Sequence, residues 1–209
     1  MWSWIIVACT MLLMMNACGS SRPLPTTQDK PTQVAKQAAG PVSPIQRLRM
    51  QAERGNNVEA QFALAQAYDH GRDVPKDKAE AVRWYRLAAM QGDTFAQNAL
   101  GDNYWEGTGV PKDDTQAVRW WRLAAAQGFA PAQHSLGKIL SGGGQGVPTD
   151  KTQAYMWLAL SAAQGDEEAG RQGEILSKQL KPAEMTNAKK LVKQWKPSRA
   201  SAVNNKIAQ

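Results

Sequence analysis

The sequence predicts an all-α protein, an α/α solenoid of stacked helical hairpins, and three observations carry that prediction. One block recurs: Ala60-Gln61-Phe62-Ala63-Leu64 returns as Ala96-Gln97-Asn98-Ala99-Leu100 and as Ala132-Gln133-His134-Ser135-Leu136, a step of 36 residues each time. Every block is broken in its middle by Val-Pro, at Val74-Pro75, Val110-Pro111 and Val147-Pro148, where a helix cannot continue. Each second half then opens on an Asp followed three residues later by Glu or Gln, the pattern of an N-terminal capping box: Asp77 with Glu80, Asp113 with Gln116, Asp150 with Gln153. Neither helix of such a hairpin can bury its apolar face alone, so neighbouring hairpins must stack into one continuous core.

Taken from the N-terminus, the first element is apolar. Met1 to Cys18 has no charged side chain, which suits the h-region of a secretory signal better than a membrane span of roughly 20 residues. The run ends in Met15-Asn16-Ala17-Cys18, which resembles the lipobox of bacterial lipoproteins, although Met15 and Asn16 replace the usual residues and no Lys or Arg precedes the run. That resemblance implies a signal peptide over residues 1–17, lipidation of Cys18 and a cell-envelope location, with Gly19 pointing to the outer membrane facing the periplasm. An uncleaved anchor helix is the alternative. An acyl chain contributes about 0.8 kcal/mol per buried methylene, so several on one Cys would hold the protein to a membrane. Removal of residues 1–17 would leave Cys18 as the one Cys, with no second thiol to mispair in an oxidising compartment. Residues 18–43 hold Pro23, Pro25, Pro31 and Pro41 without apolar periodicity and read as a tether.

Ser43 and Pro44 suit the start of a capping helix over 44–54, whose Ile45, Leu48, Met50 and Ala52 align with Val82, Tyr85, Leu87 and Ala89. The three repeats follow at 55–91, 92–127 and 128–164, each closing on Gln-Gly (Gln91-Gly92, Gln127-Gly128, Gln164-Gly165), where a left-handed C-cap is needed. Trp84, Trp120 and Trp157 recur in register and read as core wedges. Residues 165–196 read as a degenerate fourth repeat and C-terminal cap, with Lys189, Lys190, Lys193 and Lys196 on its outer face, and 197–209 as a disordered tail.

These blocks are similar to the Sel1-like repeat family, relatives of the tetratricopeptide repeats. The family pattern is met at Ala96, Leu100-Gly101, Tyr104, Gly107-Thr108-Gly109-Val110, Asp113, Ala117, Trp120, Ala124-Ala125 and Gly128. Ala65 and Asp73 depart from it in the first block, and Leu140 and Gly142-Gly143 in the third. The resemblance implies a right-handed solenoid whose first helices line the concave surface, and an interaction scaffold with no enzyme activity or cofactor.

Three copies in one chain separate packing from binding: positions alike in every copy serve the fold, and unlike positions are free to serve a partner. On a helical wheel with Ala60 at zero, Ala60, Leu64, Ala67 and Tyr68 share one arc. The unlike positions fall opposite, at about 180° to 240°. They are Phe62, Gln66 and Asp69, then Asn98, Asp102 and Trp105, then His134, Lys138 and Ser141. This stripe is the candidate surface for a protein or peptide partner, with Trp105 either its aromatic anchor or a side chain that packs against the longer neighbouring loop. The alternative is a solvated face that has drifted between copies. The paired arginines Arg83/Arg86 and Arg119/Arg122 read as solvated.

Reactive groupings are missing. His70 and His134 occupy different repeat positions and the repeats hold no Cys, so metal-ligand spacing is absent. Gly142-Gly143-Gly144-Gln145-Gly146 lacks the Lys-Ser/Thr of a phosphate loop. The chain carries a formal charge of +7, but residues 55–164 hold ten basic and eleven acidic side chains, which argues against nucleic acid as a partner. The C-terminal basic helix remains a candidate for contact with anionic glycan or lipid. Two rival functions stay open: a β-lactam-binding or cell-wall hydrolase role, which some members of the resembled family suggest, and an anionic glycan binder in polysaccharide export.

Overall fold

The computed structural model describes residues 42–54 and 57–198. The expected signal segment, Cys18, nearly all of the tether and the tail beyond Ser198 lie outside the described residues.

The described residues form nine helices: α1 (Pro44–Glu53), α2 (Val58–His70), α3 (Lys78–Met90), α4 (Thr94–Glu106), α5 (Asp114–Ala126), α6 (Ala130–Gly142), α7 (Lys151–Ala162), α8 (Glu167–Ser177) and α9 (Pro182–Gln194). The pairs α2/α3, α4/α5 and α6/α7 are the three hairpins, and each hairpin packs on the next through α3/α4 and α5/α6. The protein is therefore an all-α array of consecutively packed hairpins. Small side chains let the helices approach closely: Ala81, Ala88, Ala89, Ala117, Ala124 and Ala125 are all buried around Leu64, Leu100 and Leu136.

Local chemistry sets the helix ends. Ser43 forms a complete capping box with Gln46, and Pro44 occupies the first turn. Asp77, Asp113 and Asp150 each accept the backbone N–H three residues on. The reciprocal arm differs from the expected box: the Glu80 carboxylate turns away to accept from Arg83 at 2.7 Å and from the Trp84 indole at 2.9 Å. Gln153 donates to the Asp150 carboxylate itself. Gly92, Gly128 and Gly165 take φ of 97°, 96° and 97°, as the Gln-Gly endings require.

Asp73 takes the same left-handed backbone as its register equivalent Gly109, at φ 59° against +72°. At Gly109 a Cβ would lie 2.3 Å from the Lys78 carbonyl oxygen of the preceding repeat. The register counterpart of Lys78 that would face Asp73 is residue 41, outside the described residues. The lengthened third loop is held by the preceding repeat, where Asp114 accepts the Gln145 N–H at 2.8 Å. A pair of backbone hydrogen bonds between Gly144 and Val147 closes the same loop.

Two side-chain ties recur between repeats. Gln61, Gln97 and Gln133, all buried, donate to the carbonyls of Ala52, Ala89 and Ala125 and accept from Gln91, Gln127 and Gln164. Arg49 donates to the Tyr68 hydroxyl, and Arg86 does the same to Tyr104 at 2.8 Å. The second arginine of the first pair is thus a tie to the next repeat rather than a solvated charge.

The C-terminal part differs from a fourth hairpin. Helix α8 stacks on α7 and touches α6 as a first helix should, but α9 lies along α7 instead of pairing back with α8. The linker between α8 and α9 spans only 178–181 and lacks the Gly-Val-Pro turn, while α7 presents Met156, Trp157 and Leu160 to the apolar cluster that α9 joins. Leu191, Val192 and Trp195 pack there, and Lys189, Lys190, Lys193 and Lys196 remain exposed.

Candidate partner-binding face

The first helices α2, α4 and α6 carry the unlike residues, and the structure sorts them into three groups along the helices. At the N-terminal ends, Phe62 meets Phe95 at 5.9 Å between ring centroids and Phe95 meets Phe129 edge-on at 5.1 Å. These are the three phenylalanines of the chain, and they form one aromatic ridge across three repeats. Phe62 is anchored below against Tyr85. Phe95 is 58% exposed, a large apolar side chain left in water.

In the middle, polar stripe residues serve as internal ties. His134 Nδ1 lies 2.8 Å from Asp166, which also accepts from Ser161 and from the Ala169 N–H at the start of α8. Desolvation pulls the Asp166 carboxyl upward, but the hydrogen bonds from Ala169, Ser161 and His134 outweigh it and hold the group below its ordinary range. Asn98 donates to Asp102 at 2.8 Å. Gln66 is half-buried, and its backbone carbonyl partners the His70 ring.

At the C-terminal ends, Asp69 pairs with Lys78 at 2.7 Å and Ser141 bonds back to the Lys138 carbonyl. Asp102, Trp105 and Lys138, three of the expected residues, converge on one cleft of about 210 Å³ between α4 and α6, floored by Trp121. Trp105 lies 6.0 Å from Trp121, and the Lys112 ammonium of the neighbouring loop sits 4.6 Å above the Trp105 ring. Lys138 is exposed and also borders a second cleft of about 290 Å³ beside Leu158 and Ile175.

Burial pushes the Asp102 carboxyl up to about 6; the Trp121 hydrogen bond opposes this, the Glu106 charge adds to it, and the Asn98 hydrogen bond again opposes it. An unfolded Asp titrates near 3.9, so between pH ~4 and ~6 the folded state holds a proton that the unfolded state has released, and stability falls as pH rises through that window. Asp102→Asn is expected to melt higher than the parent at pH 7, by about 1–2 kcal/mol of unfolding free energy, and to flatten the profile between pH 4 and 6. The buried Asn98 Oδ1, which has no hydrogen-bond partner, can accept the new amide once the Asn98 amide turns over. Melting curves across pH 4–7 check both statements.

Phe95 and Phe129 were not legible as members of the ridge. They sit off the 36-residue register, so comparison of the copies passes over them, although three phenylalanines spaced 33 and 34 apart hint at a shared face. Among the described residues, no group of three or more His, Cys, Asp or Glu side chains could hold a metal ion, and no helix is long and apolar enough to cross a membrane.

Stacked hairpins with recurring inter-repeat ties, and side chains that vary along the first helices, define a helical-repeat protein. The Sel1 repeat pattern matches residues 58–93, 94–129 and 130–166, and the chain belongs to the Sel1 repeat family. Among solved structures it is similar to a Sel1 repeat protein from Oxalobacter formigenes, 39% identical with a TM-score of 0.56 over 61% of this chain and 95% of that one. It is also similar to a protective antigen of uropathogenic Escherichia coli strains displaying an SLR fold. That match is 28% identical with a TM-score of 0.56, over 84% of this chain and 45% of the antigen, so the chain spans less than half of the antigen's length. No curated protein matches the chain.

Proposed function

We propose that this protein is a non-catalytic scaffold of the bacterial cell envelope that holds a protein or peptide partner on the face of its first helices. The observation that carries the reading is the Phe62–Phe95–Phe129 ridge, continuous across three repeats and exposed at Phe95. A rigid aromatic seam of this kind offers large contact area at low entropic cost, and the Asp102–Trp105–Lys138 cleft at the opposite end of the same helices adds a polar element for register. The envelope location rests on the sequence alone: the apolar segment before Cys18 supports lipid anchoring, and residues 19–43 would let the repeats stand up to about 85 Å from the lipid.

A photo-reactive residue at position 95 of the full chain is expected to give a discrete cross-linked adduct in intact cells, and one at Glu184 on α9 is expected to give none. Carrying Lys138→Glu in the same chain, a change at an exposed side chain, should weaken the adduct while helical content and melting stay nearly unchanged. An adduct of equal yield from both positions, or one indifferent to Lys138→Glu, removes the first-helix reading. For the anchor, Cys18→Ser should abolish acyl labelling and membrane fractionation; continued fractionation with membrane would favour an uncleaved helix.

A further inference from the structure

The second helices repeat one apolar position in register: Met50 in α1, Leu87 in α3, Leu123 in α5 and Leu160 in α7. Its exposure is 42% at Met50 and 45% at Leu87, intermediate at Leu123 and 9% at Leu160. The burial at the α7 end has a visible cause. Helix α9 covers α7, where Leu191, Val192 and Trp195 pack on the cluster that contains Trp157 and Leu160. The chain then runs on to the end of α5, where the Ser198 N–H donates to the Ala126 carbonyl at 2.7 Å and Trp195 and Pro197 lie against Gly128. On the α5–α7 side of the array, α7 is thus covered by an amphipathic helix, and the extended Trp-Lys-Pro-Ser segment that follows it closes the groove against the end of α5.

Two repeats earlier the equivalent groove is open. It lies between α1 and α3, measures about 630 Å³ and is lined by Ala52, Glu53, Trp84, Leu87 and Met90. Ala52, Trp84 and Leu87 occupy the register positions of Ala125, Trp157 and Leu160, and Glu53 that of Ala126, the residue that receives Ser198. Trp84 is half-buried where Trp120 and Trp157 are buried, and Met90 is 55% exposed. Exposed methionine and leucine beside a tryptophan form an adaptable apolar seat, which a monomer rarely leaves in water without use.

We propose that the α1–α3 groove docks an amphipathic helix of a partner protein, whose aliphatic stripe and C-terminal aromatic fill it as Leu191, Val192 and Trp195 fill the α5–α7 groove. The chemistry of the occupant follows from the filled copy of the site. Glu53, at the rim where the filled groove has Ala126, adds a preference for Lys or Arg near the end of that helix, as α9 carries at Lys193 and the segment after it at Lys196. The chain's own α9 is already seated on α7, so a separate protein is the occupant favoured over a second copy. This surface is independent of the aromatic ridge on the first helices.

A labelled synthetic peptide copying residues 182–198 serves as the probe, titrated against the full chain by fluorescence anisotropy. Saturable binding is expected, weakened about tenfold or more by Leu87→Glu or Met90→Glu, a shift of about 1.4 kcal/mol per tenfold. Both positions are exposed, so circular dichroism and melting should match the parent, and Phe95→Glu should leave the peptide titration unchanged. Failure to saturate would overturn the proposal. So would binding that survives Leu87→Glu combined with Met90→Glu, because the peptide would then be exchanging into the α5–α7 groove. Self-association of the chain that Leu87→Glu abolishes would instead assign the groove to a second copy and overturn the partner reading.

Discussion

Gly101→Ala is expected to lower the unfolding free energy by about 3 kcal/mol, although alanine is the better helix former by about 1 kcal/mol. A Cβ at Gly101 would lie 2.3 Å from Cδ1 and 2.4 Å from Nε1 of Trp121, closer than real Cβ contacts allow. The indole cannot swing aside cheaply. It is buried, its N–H donates to Asp102 at 2.9 Å, and it packs against Trp105. Overpacking of this kind costs about 3 kcal/mol and loss of the hydrogen bond about 1, against which the propensity gain of about 1 is set. The first repeat supplies the control, because it holds Ala65 and Tyr85 at the register positions of Gly101 and Trp121, both buried. Gly101→Ala combined with Trp121→Tyr should therefore recover most of the loss in a denaturant titration. A double variant no better than the single one would show that the Gly101–Trp121 approach is not the source of the cost.

That pairing shows why the fold was legible in the sequence while parts of its mechanics were not. Each hairpin buries the same arc against its neighbours, so selection for one packing geometry writes the same residues three times, at Leu64, Leu100 and Leu136 and at Ala81, Ala117 and Ala154. The capping aspartates and the Gln-Gly endings are local chemistry and can be read locally. Helix α9 is different. Its apolar residues are visible, but whether they turn back on α8 or lie along α7 depends on which surface lacks a cover, and that is a tertiary matter. The demand for glycine at Gly109 was likewise unreadable, because the carbonyl that forbids a side chain there comes from another repeat.

The wheel reads the variable stripe as a wet face, and the structure half-buries most of it. Lys138 alone among the nine stripe residues is exposed; the rest are half-buried. Asp69, Asn98 and His134 are committed to Lys78, Asp102 and Asp166. Variation between copies marks freedom from the repeat's shared packing, which can be spent on contacts peculiar to one junction as readily as on a partner. The phenylalanine ridge escaped for the opposite reason. Phe62 stands third in its block, counting from Ala60, while Phe95 and Phe129 lie one and three residues before theirs, so the ridge crosses the register diagonally.

Gln97→Leu is the other substitution with a large expected effect, a loss of about 3 kcal/mol despite an increase in core hydrophobicity. Gln97 is fully buried, close in volume to leucine, and occupied at both ends of its amide: Nε2 donates to the Ala89 carbonyl at 3.1 Å and Oε1 accepts from Gln127 Nε2 at 2.8 Å. Leucine fills the space, so little cavity cost enters and the hydrogen bonds are tested almost alone. The Ala89 carbonyl at the end of α3 loses one of its donors, and Gln127 keeps only its weaker bond to the Gly92 carbonyl at 3.3 Å. Desolvated groups left short of partners cost about 1–3 kcal/mol each, which outweighs the transfer gain of an added aliphatic side chain. The location matters as much as the size. The same relay recurs at Gln61 and Gln133, so each glutamine joins the second helix of one repeat to both helices of the next. In a solenoid, cooperativity is carried by such junctions. Urea unfolding of the Gln97 variant should therefore broaden into two steps, with the part around α1–α3 melting first, because the C-terminal repeats retain the cover of α9. A single sharp transition at the parent's midpoint would show that apolar packing alone couples the repeats and that the glutamine ladder is incidental.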